Sequence, residues 1–227
     1  ILKGIDLEVH SGETVAFVGA TGAGKTSVIN LISRFYEFNK GSITLDGKSI
    51  RDFPLNELRK QVGVVLQDVF LFSDTILNNI TLNNPAISRE EVIEAAKLVG
   101  AHKFIKKLPE GYEFNVRERG GMLSVGQRQL IAFIRAYVYN PGVLILDEAT
   151  SSVDTESEEL IRHAIDVLTK GRTSLVIAHR LATIQNADRI VVMEKGRILE
   201  QGNHKELLEK GGHYKALYEL QFSEPAL

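Results

Sequence analysis

One short glycine-rich segment carries the residue types best suited to chemistry in this sequence. Residues 19–26 fit the phosphate-binding pattern G-x-x-x-x-G-K-[ST]. Glycines let the backbone curve closely enough for its N–H groups to surround phosphate oxygens. Lys25 is expected to contact the β- and γ-phosphates, and the Thr26 hydroxyl is expected to bind Mg²⁺. The predicted nucleotide-binding residues here are Gly19, Ala20, Thr21, Gly22, Ala23, Gly24, Lys25, Thr26 and Ser27.

The segments on either side of this loop supply the context that the motif requires. Residues 13–18 read as a buried strand rich in β-branched residues, and residues 27–33 read as a helix. A helix that starts at the loop adds N-terminal N–H donors and the positive end of its dipole. The alternative is a glycine turn that happens to precede a lysine, and it does not explain these flanking elements. The sequence therefore predicts a nucleotide site between a strand and a helix.

The composition indicates the class of protein. The 227 residues suffice for one large domain or for a core with a helical annex. The sequence is 44% hydrophobic and 25% charged, which is typical of a soluble globular domain. Its formal charge of -2 gives no electrostatic reason to expect nucleic acid as a partner. Because the chain has no cysteine, disulfides, thiolate metal sites and cysteine nucleophiles are excluded, and a reducing compartment is expected.

The beginning of the sequence leads us to expect a longer polypeptide. Residues 1–9 lack a methionine and alternate apolar with polar side chains, as a strand does. A natural terminus rarely interrupts a strand, so we expect upstream sequence. No apolar run approaches the roughly 20 residues that span a bilayer, and no signal peptide is visible. This part of the polypeptide is therefore expected to be soluble.

Polar side chains follow three predicted buried strands. The strand at residues 62–67 ends in Gln67, and the strand at residues 143–148 ends in Asp147 and Glu148. The strand at residues 174–178 is followed directly by His179. In an open parallel sheet, ligands bind beyond the carboxyl ends of the strands. Asp147 is expected to reach Mg²⁺ through its water shell, and Glu148 to polarise an attacking water. A strand-ending glutamine alone is usually a loop residue, but polar residues at three strand ends together predict a site.

The middle of the chain has a mainly helical pattern. Residues 1–72 and 140–227 are predicted to form one α/β core, and residues 73–139 an inserted helical subdomain. Ser88 is an expected helix cap, and a longer helix at 128–139 is expected to end at Asn140. The pattern is completed by a helix at 155–168 that starts after Asp154, a hairpin at 189–201 and a helical region at 203–222.

These motifs, in this order, resemble the nucleotide-binding domain of an ABC transporter. The order is the phosphate loop, Gln67, residues 123–127, the strand ending in Asp147 and Glu148, residues 152–154, and His179. Residues 67–72, 108–113 and 118–121 resemble the exporter branch in particular. The resemblance covers essentially the whole chain. It implies a P-loop NTPase (RecA-like) fold, in which an α/β core carries an N-terminal antiparallel β portion and an inserted α-helical subdomain.

The resemblance also implies an ATPase that works as a pair of domains. Two such domains bind head to tail around two molecules of ATP with Mg²⁺, and hydrolysis drives export. Each nucleotide lies between the phosphate loop of one domain and the signature segment of the other. The signature residues are Leu123, Ser124, Val125, Gly126 and Gln127. The serine hydroxyl and the N–H groups of residues 125–127 lie where a helix begins and are expected to donate to a γ-phosphate.

Individual roles are implied position by position. Glu148 resembles the family's catalytic base and His179 its switch histidine. Lys25 is expected to stabilise transferred charge, and Gln67 to sense the γ-phosphate and Mg²⁺. Asp154 is expected to join the two sites across the dimer. The implied Mg²⁺ ligands are Thr26, Gln67 and Asp147.

The implied partners are a second nucleotide-binding domain and a transmembrane domain of the same polypeptide. The second domain makes either a homodimer or a heterodimer. Residues 70–72 and 117–119 are expected to receive the coupling helices of the transmembrane domain. The expected location is therefore the cytoplasmic face of the cell membrane, without nucleic acid as a partner.

Two departures from the family pattern lead to hypotheses. The family commonly has glycine where this sequence has Val125, which suggests a weakened site and pairing with a different partner chain. The adenine-stacking aromatic of the family lies upstream of Ile1. Because stacking of a base contributes about 1–3 kcal/mol, we expect this chain to bind ATP roughly ten- to hundredfold more weakly than a longer polypeptide.

Three other functions are considered. A soluble ABC protein of DNA repair or translation is disfavoured by the exporter-like segments and by the absence of basic excess. A GTPase is disfavoured because Asn39 and Lys40 are followed by Gly41, without the guanine-reading aspartate two positions on. A non-hydrolysing ATP-binding partner in a heterodimeric transporter is the third alternative. The presence of Glu148 and His179 favours hydrolysis.

Overall fold

Two groups of residues, each packed around its own core, make up the described part of the chain. The computed structural model describes residues 2–148 and 155–222. The first unit contains residues 2–64, 142–148 and 171–222, and the second contains residues 65–141 and 155–170. The domain bounds expected from the sequence stay a prediction.

The strands within the described ranges form one large sheet and one small antiparallel pair. They are β1 (Thr14–Val18), β2 (Thr44–Leu45), β3 (Lys48–Ser49), β4 (Val62–Val65), β5 (Val143–Asp147), β6 (Thr173–Ile177), β7 (Arg189–Glu194) and β8 (Arg197–Gly202). The large sheet has the order β4-β5-β6-β1-β7-β8, and β2 pairs with β3. β1 lies parallel to β6 and β7, β5 lies parallel to β6, and β7 and β8 form an antiparallel hairpin.

The central strands are almost completely buried, as expected for a parallel sheet covered on both faces. Val15, Ala16 and Phe17 of β1 are at most 1% exposed. The same hydrophobic cluster includes Val28 and Ile29, which belong to the helix that follows the glycine-rich loop. This packing anchors the loop at both ends, because the strand before it and the helix after it share one core.

Helices complete both units. They are α1 (Lys25–Ile32), α2 (Leu55–Gln61), α3 (Ile76–Thr81), α4 (Arg89–Val99), α5 (His102–Lys107), α6 (Val125–Tyr139), α7 (Thr155–Thr169), α8 (Leu181–Asn186), α9 (His204–Lys210) and α10 (His213–Phe222). In the second unit, α6 packs against α3, α4 and α7. None of the helices among the described residues is both long and apolar enough to cross a membrane.

The predicted alternation of α and β elements is confirmed for most of the chain. The strands expected at 143–148 and 174–178 are β5 and β6, and the expected hairpin is β7 and β8. The helix that follows Ser88 begins with a capping box, in which Ser88 and Glu91 satisfy each other's backbone N–H groups. The observed parallel sheet, small antiparallel pair and helices agree with the predicted fold class.

Two local expectations are wrong. Residues 2–9 form no strand; Ile5, Leu7 and Val9 pack against the first core, so their alternation reflects one buried face rather than a ladder. The antiparallel β portion near the N-terminus is therefore limited to β2 and β3. The helix expected from residue 128 begins at Val125, because Ser124 caps it. The closing helical region expected at 203–222 is confirmed and consists of two helices, because α9 ends at Gly211 in a left-handed conformation with φ of 68°.

Candidate functional site

The glycine-rich loop joins the end of β1 to the start of α1. Gly19, Gly22 and Gly24 have φ angles of 149°, 81° and 108°, which side-chain-bearing residues rarely adopt. A Cβ atom on Gly19 would lie 2.2 Å from the carbonyl oxygen of Met193 in β7. Only glycine fits there, so the first residue of the motif is dictated by the close approach of β7.

Lys25 begins α1 and lies inside the curve of the loop. Its side chain is buried, and its ammonium donates to the carbonyl oxygens of Gly19 at 2.5 Å and Ala20 at 3.2 Å. Burial lowers the pKa of Lys25, and the negative charge of Asp147 acts in the opposite direction. The influence of Asp147 indicates that this carboxylate lies near the loop lysine.

The turn between β7 and β8 supports the same loop. The Gly196 N–H donates to the carbonyl oxygen of Ala23 at 2.9 Å. The carbonyl oxygen of Gly196 in turn accepts from the Lys3 N–H at 2.8 Å. The loop is therefore held by a distant part of the chain as well as by the strand and helix that flank it.

Asp147, Glu148 and His179 lie at the edge of the sheet where the loop starts. The parallel register places Asp147 opposite Ile177, and the Glu148 N–H donates to the carbonyl oxygen of Ile177 at 3.2 Å. On the other side of β6, Phe17 of β1 is the register partner of Ile177. The structure thus brings these three polar residues to the same end of the sheet as the phosphate-binding motif.

Glu148 is buried, with only 2% of its surface exposed, and its carboxylate accepts three hydrogen bonds. Its Oε2 accepts from the N–H groups of His179 at 2.9 Å and Arg180 at 3.2 Å. Its Oε1 accepts from the Thr183 hydroxyl at 2.5 Å. Burial raises the pKa of Glu148, while the hydrogen bonds and the charge of Arg180 oppose that rise. The result is a desolvated carboxylate whose orientation is set by three donors.

His179 is half-buried between the strand end and α8. Burial lowers its pKa from the ordinary value of 6.5, and the positive charge of Lys25 lowers it further. The imidazole is therefore neutral at pH 7, with one nitrogen that donates and one that accepts. A neutral ring next to a cationic loop is suited to donating one hydrogen bond to a phosphate oxygen.

The residues of this edge fit a magnesium ion bound together with phosphates. Thr26 and Asp147 offer hard oxygen donors, the ligand type that Mg²⁺ prefers. Across residues 2–148 and 155–222, no group of three or more His, Cys, Asp or Glu side chains forms a metal site by itself. Mg²⁺ is usually held by one or two protein ligands plus water and substrate phosphates, so this sparse donor set suits it.

In the second unit, the segment at 123–127 forms the start of α6. The Ser124 hydroxyl oxygen accepts from the Gln127 N–H at 3.2 Å, and Gln127 Oε1 accepts from the Ser124 N–H at 3.0 Å. The three N–H groups expected to face a phosphate are therefore not equivalent, because that of Gln127 is engaged in the cap. Leu123 is buried in the core, Gly126 is also buried, and Val125 is 39% exposed at the first helical position.

Gln67 also belongs to the second unit. It is exposed and lies two residues beyond the end of β4, so the strand is shorter than predicted. Further on, Phe70 and Phe72 form an exposed edge-to-face pair with ring centroids 5.1 Å apart. Asn79, fully buried, exchanges two hydrogen bonds with the backbone of Phe72, at 2.8 and 3.0 Å. Asp154, predicted to join two sites, lies outside the described residues.

Among the described residues that contact this site, some are not indicated by any sequence motif, and these include Thr183, Met193 and Gly196. Thr183 follows His179 by four positions, and its importance depends on the carboxylate that α8 happens to meet. Met193 meets Gly19 through its backbone carbonyl, and a backbone contact carries no sequence signal. Gly196 reads as an ordinary hairpin glycine. The remaining predicted residues lie as described above, and their chemical roles stay predictions.

Comparison with known proteins identifies the family. The sequence profile described as "ABC transporter" matches residues 2–151 of this chain. The chain belongs to the ABC transporter family. Its predicted resemblance to an exporter-type nucleotide-binding domain is confirmed by the relatives and the solved structure described next, and its class as an ABC-type ATPase domain is confirmed by the family match.

Similar proteins include multidrug export ATP-binding/permease proteins of Staphylococcus aureus. That of strain NCTC 8325 / PS 47 is 54% identical over 221 residues, which cover 97% of this ABC domain and 38% of that protein. The protein from strain bovine RF122 / ET3-1 is 53% identical over the same length. This ABC domain therefore spans less than two fifths of the relatives' length.

A solved structure confirms the fold. A bacterial Atm1-family ABC exporter with ATP bound superposes with a TM-score of 0.92 at 42% sequence identity. The match covers 100% of this ABC domain and 40% of that chain. The predicted P-loop NTPase fold class is therefore confirmed.

Proposed function

We propose that this ABC domain binds and hydrolyses Mg-ATP and thereby drives export by a longer polypeptide. The observation that carries the proposal is the convergence of Lys25 in its loop with Asp147, Glu148 and His179 at one edge of the sheet. The relatives' description as multidrug export proteins supports export rather than DNA repair or translation. We assign no transported substrate, because substrate choice is expected to lie in the transmembrane domain.

The loop binds the β- and γ-phosphates through its backbone N–H groups and the Lys25 ammonium. An ammonium has three N–H donors, and two of them hold it inside the loop through Gly19 and Ala20. Mg²⁺, when bound, neutralises charge that develops on the phosphates. Thr26 would hold it through its hydroxyl and Asp147 through its water shell, and Gln67 is the third predicted ligand.

Glu148 acts as the base that takes a proton from the attacking water. Its burial raises its pKa and makes the carboxylate a stronger base than an exposed glutamate, whereas its three hydrogen-bond donors oppose that rise and favour the ionised form. His179, neutral at pH 7, donates to the γ-phosphate. Lys25 stabilises the charge that moves onto the leaving phosphate.

The complete site contains a second nucleotide-binding domain, which binds head to tail. The capped start of α6, with Ser124 and Gly126, supports the proposed signature role. The exposed rings of Phe70 and Phe72 are a suitable surface for the coupling helices of a transmembrane domain, together with residues 117–119. The domain then works at the cytoplasmic face of the membrane, and closure of the pair is transmitted by rigid-body movement.

The test is turnover by a Glu148→Gln variant of the full-length polypeptide. We expect at least about a hundredfold loss of turnover, because a positioned base contributes roughly 10²–10⁴-fold. ATP affinity should stay close to that of the wild type, since Glu148 does not bind the ground-state nucleotide. Glu57→Gln, an exposed change on α2, is the matched control and should have no effect. Turnover of Glu148→Gln at the wild-type rate would remove this residue from the proposed role.

A second candidate function is an ATP-binding partner that does not hydrolyse, in a heterodimeric transporter. The observation that favours it is Val125, exposed at the first position of α6 where the family commonly has glycine. ATP binding without turnover by the full-length wild-type protein, alone and in membranes, would support this function over the first.

A further inference from the structure

We propose that Thr183 is a positioning residue for ATP hydrolysis, whose hydroxyl orients Oε1 of Glu148 toward the attacking water. The proposal rests on the proposed function, because it assigns a partner to the glutamate that function uses as a base. It adds a residue that lies outside the phosphate loop, the signature segment and the polar strand ends.

The two carboxylate oxygens of Glu148 accept different numbers of hydrogen bonds. Oε2 accepts two backbone N–H groups, from His179 at 2.9 Å and Arg180 at 3.2 Å. Oε1 accepts one hydroxyl, that of Thr183, at 2.5 Å. An ionised carboxylate has about four lone-pair sites, two on each oxygen. The two backbone donors fill those of Oε2, so the remaining acceptor site is on Oε1.

The hydroxyl of Thr183 therefore fixes the direction of the remaining lone-pair site on Oε1 of Glu148. The terminal torsion of a glutamate has a broad energy profile, so two N–H bonds to Oε2 alone leave the carboxylate able to pivot about that oxygen. The bond from Thr183 fixes Oε1 as well and stops this rotation. A base aligned in this way meets the water in one geometry, which is what proximity and orientation require of catalysis.

The position of Thr183 makes this contact independent of the capping of its own helix. It is the third residue of α8, half-buried, and Arg180 before the helix offers no side-chain cap. The two backbone donors come from the residues just before α8, and one of them is His179. Hydrogen bonds thus hold Glu148 to the backbone of His179 and Arg180, and Thr183 adds a third hydrogen bond from the first turn of α8.

The experiment compares Thr183→Val and Thr183→Ser in the full-length polypeptide by steady-state ATPase kinetics. Loss of a hydrogen bond to a charged group predicts a kcat about ten- to hundredfold lower for Thr183→Val. KM for ATP should change by less than about threefold, because the contact acts on the water and not on nucleotide binding. Thr183→Ser keeps the hydroxyl and should retain most of the wild-type kcat. Thr169→Val, whose hydroxyl donates to a helix carbonyl in α7, is the matched control and should resemble the wild type.

The same substitutions in a Glu148→Gln background separate this proposal from the proposed function. If Thr183 acts through Glu148, Thr183→Val has no further effect on the residual rate of Glu148→Gln. Wild-type turnover by Glu148→Gln overturns both proposals. If Glu148→Gln is inactive but Thr183→Val hydrolyses ATP at the wild-type rate or faster, only the positioning role of Thr183 is overturned. Should Thr183→Val fail to fold, Thr183→Ala against Thr183→Ser decides, and equal kcat values for these two overturn the proposal.

Discussion

Replacement of Gly19 by alanine tests the close packing of β7 against the phosphate loop. A Cβ atom at this position would lie 2.2 Å from the carbonyl oxygen of Met193, whereas real Cβ contacts are almost never below 3.0 Å. The backbone must therefore move by about 0.8 Å. Because the Met193 carbonyl belongs to β7, which is hydrogen-bonded to β1 and β8, we expect the loop to move rather than β7.

The loss of folding stability caused by Gly19→Ala has two parts, and a control variant separates them. Overpacking against backbone costs about 1–3 kcal/mol, and a side chain at a φ of 149° adds about 1–3 kcal/mol of strain. Gly41→Ala is the control, because Gly41 has a φ of 90° but no atom within 4 Å of the added Cβ. Gly41→Ala should therefore lose stability only through backbone strain. Gly19→Ala should be the less stable of the two variants by about 1–3 kcal/mol, because it also overpacks.

Urea unfolding measures this difference, and nucleotide titration measures its consequence. We expect Gly19→Ala to weaken ATP binding markedly, since the displaced N–H groups no longer match the phosphate oxygens, whereas Gly41→Ala binds ATP normally. If Gly19→Ala is as stable as Gly41→Ala and binds ATP like the wild type, the argument from the close approach of β7 is refuted.

Two further predictions concern Val125 and His179. Val125→Gly should raise the ATPase rate of the full-length polypeptide if valine weakens the signature contact, and an unchanged rate would end that hypothesis. The imidazole of His179 should titrate with a midpoint below 6.5 in an NMR pH series, because burial and Lys25 both disfavour its charged form. Lys25→Met removes the second cause and should raise the midpoint; a midpoint above 6.5 in the wild type would contradict the described environment.

The sequence alone was sufficient to predict where the polar residues of the sheet edge lie. Asp147, Glu148 and His179 each follow an apolar run, and parallel strands bring their carboxyl ends to one edge. The glycine-rich loop was predictable for a similar reason, because its spacing and its flanking strand and helix are both local. These features depend on short stretches of chain, which is why a pattern detects them.

Contacts between distant segments were not predictable. Nothing in the spacing of Thr183 indicates that its hydroxyl meets Glu148, since that contact depends on where α8 packs. The approach of the Met193 carbonyl to Gly19 involves no side chain, so sequence has no signal for it. The alternation at residues 2–9 was misinterpreted because a period of two indicates one buried face and not the presence of a partner strand.

The measurement that tests the central proposal most directly is the ATPase rate of this chain as a function of its concentration, with Mg²⁺ and saturating ATP. If two copies complete each other's sites, the rate should rise faster than linearly where sedimentation shows mostly monomers, and become linear once dimers dominate. A rate proportional to concentration throughout the monomeric range would contradict a site shared between two domains.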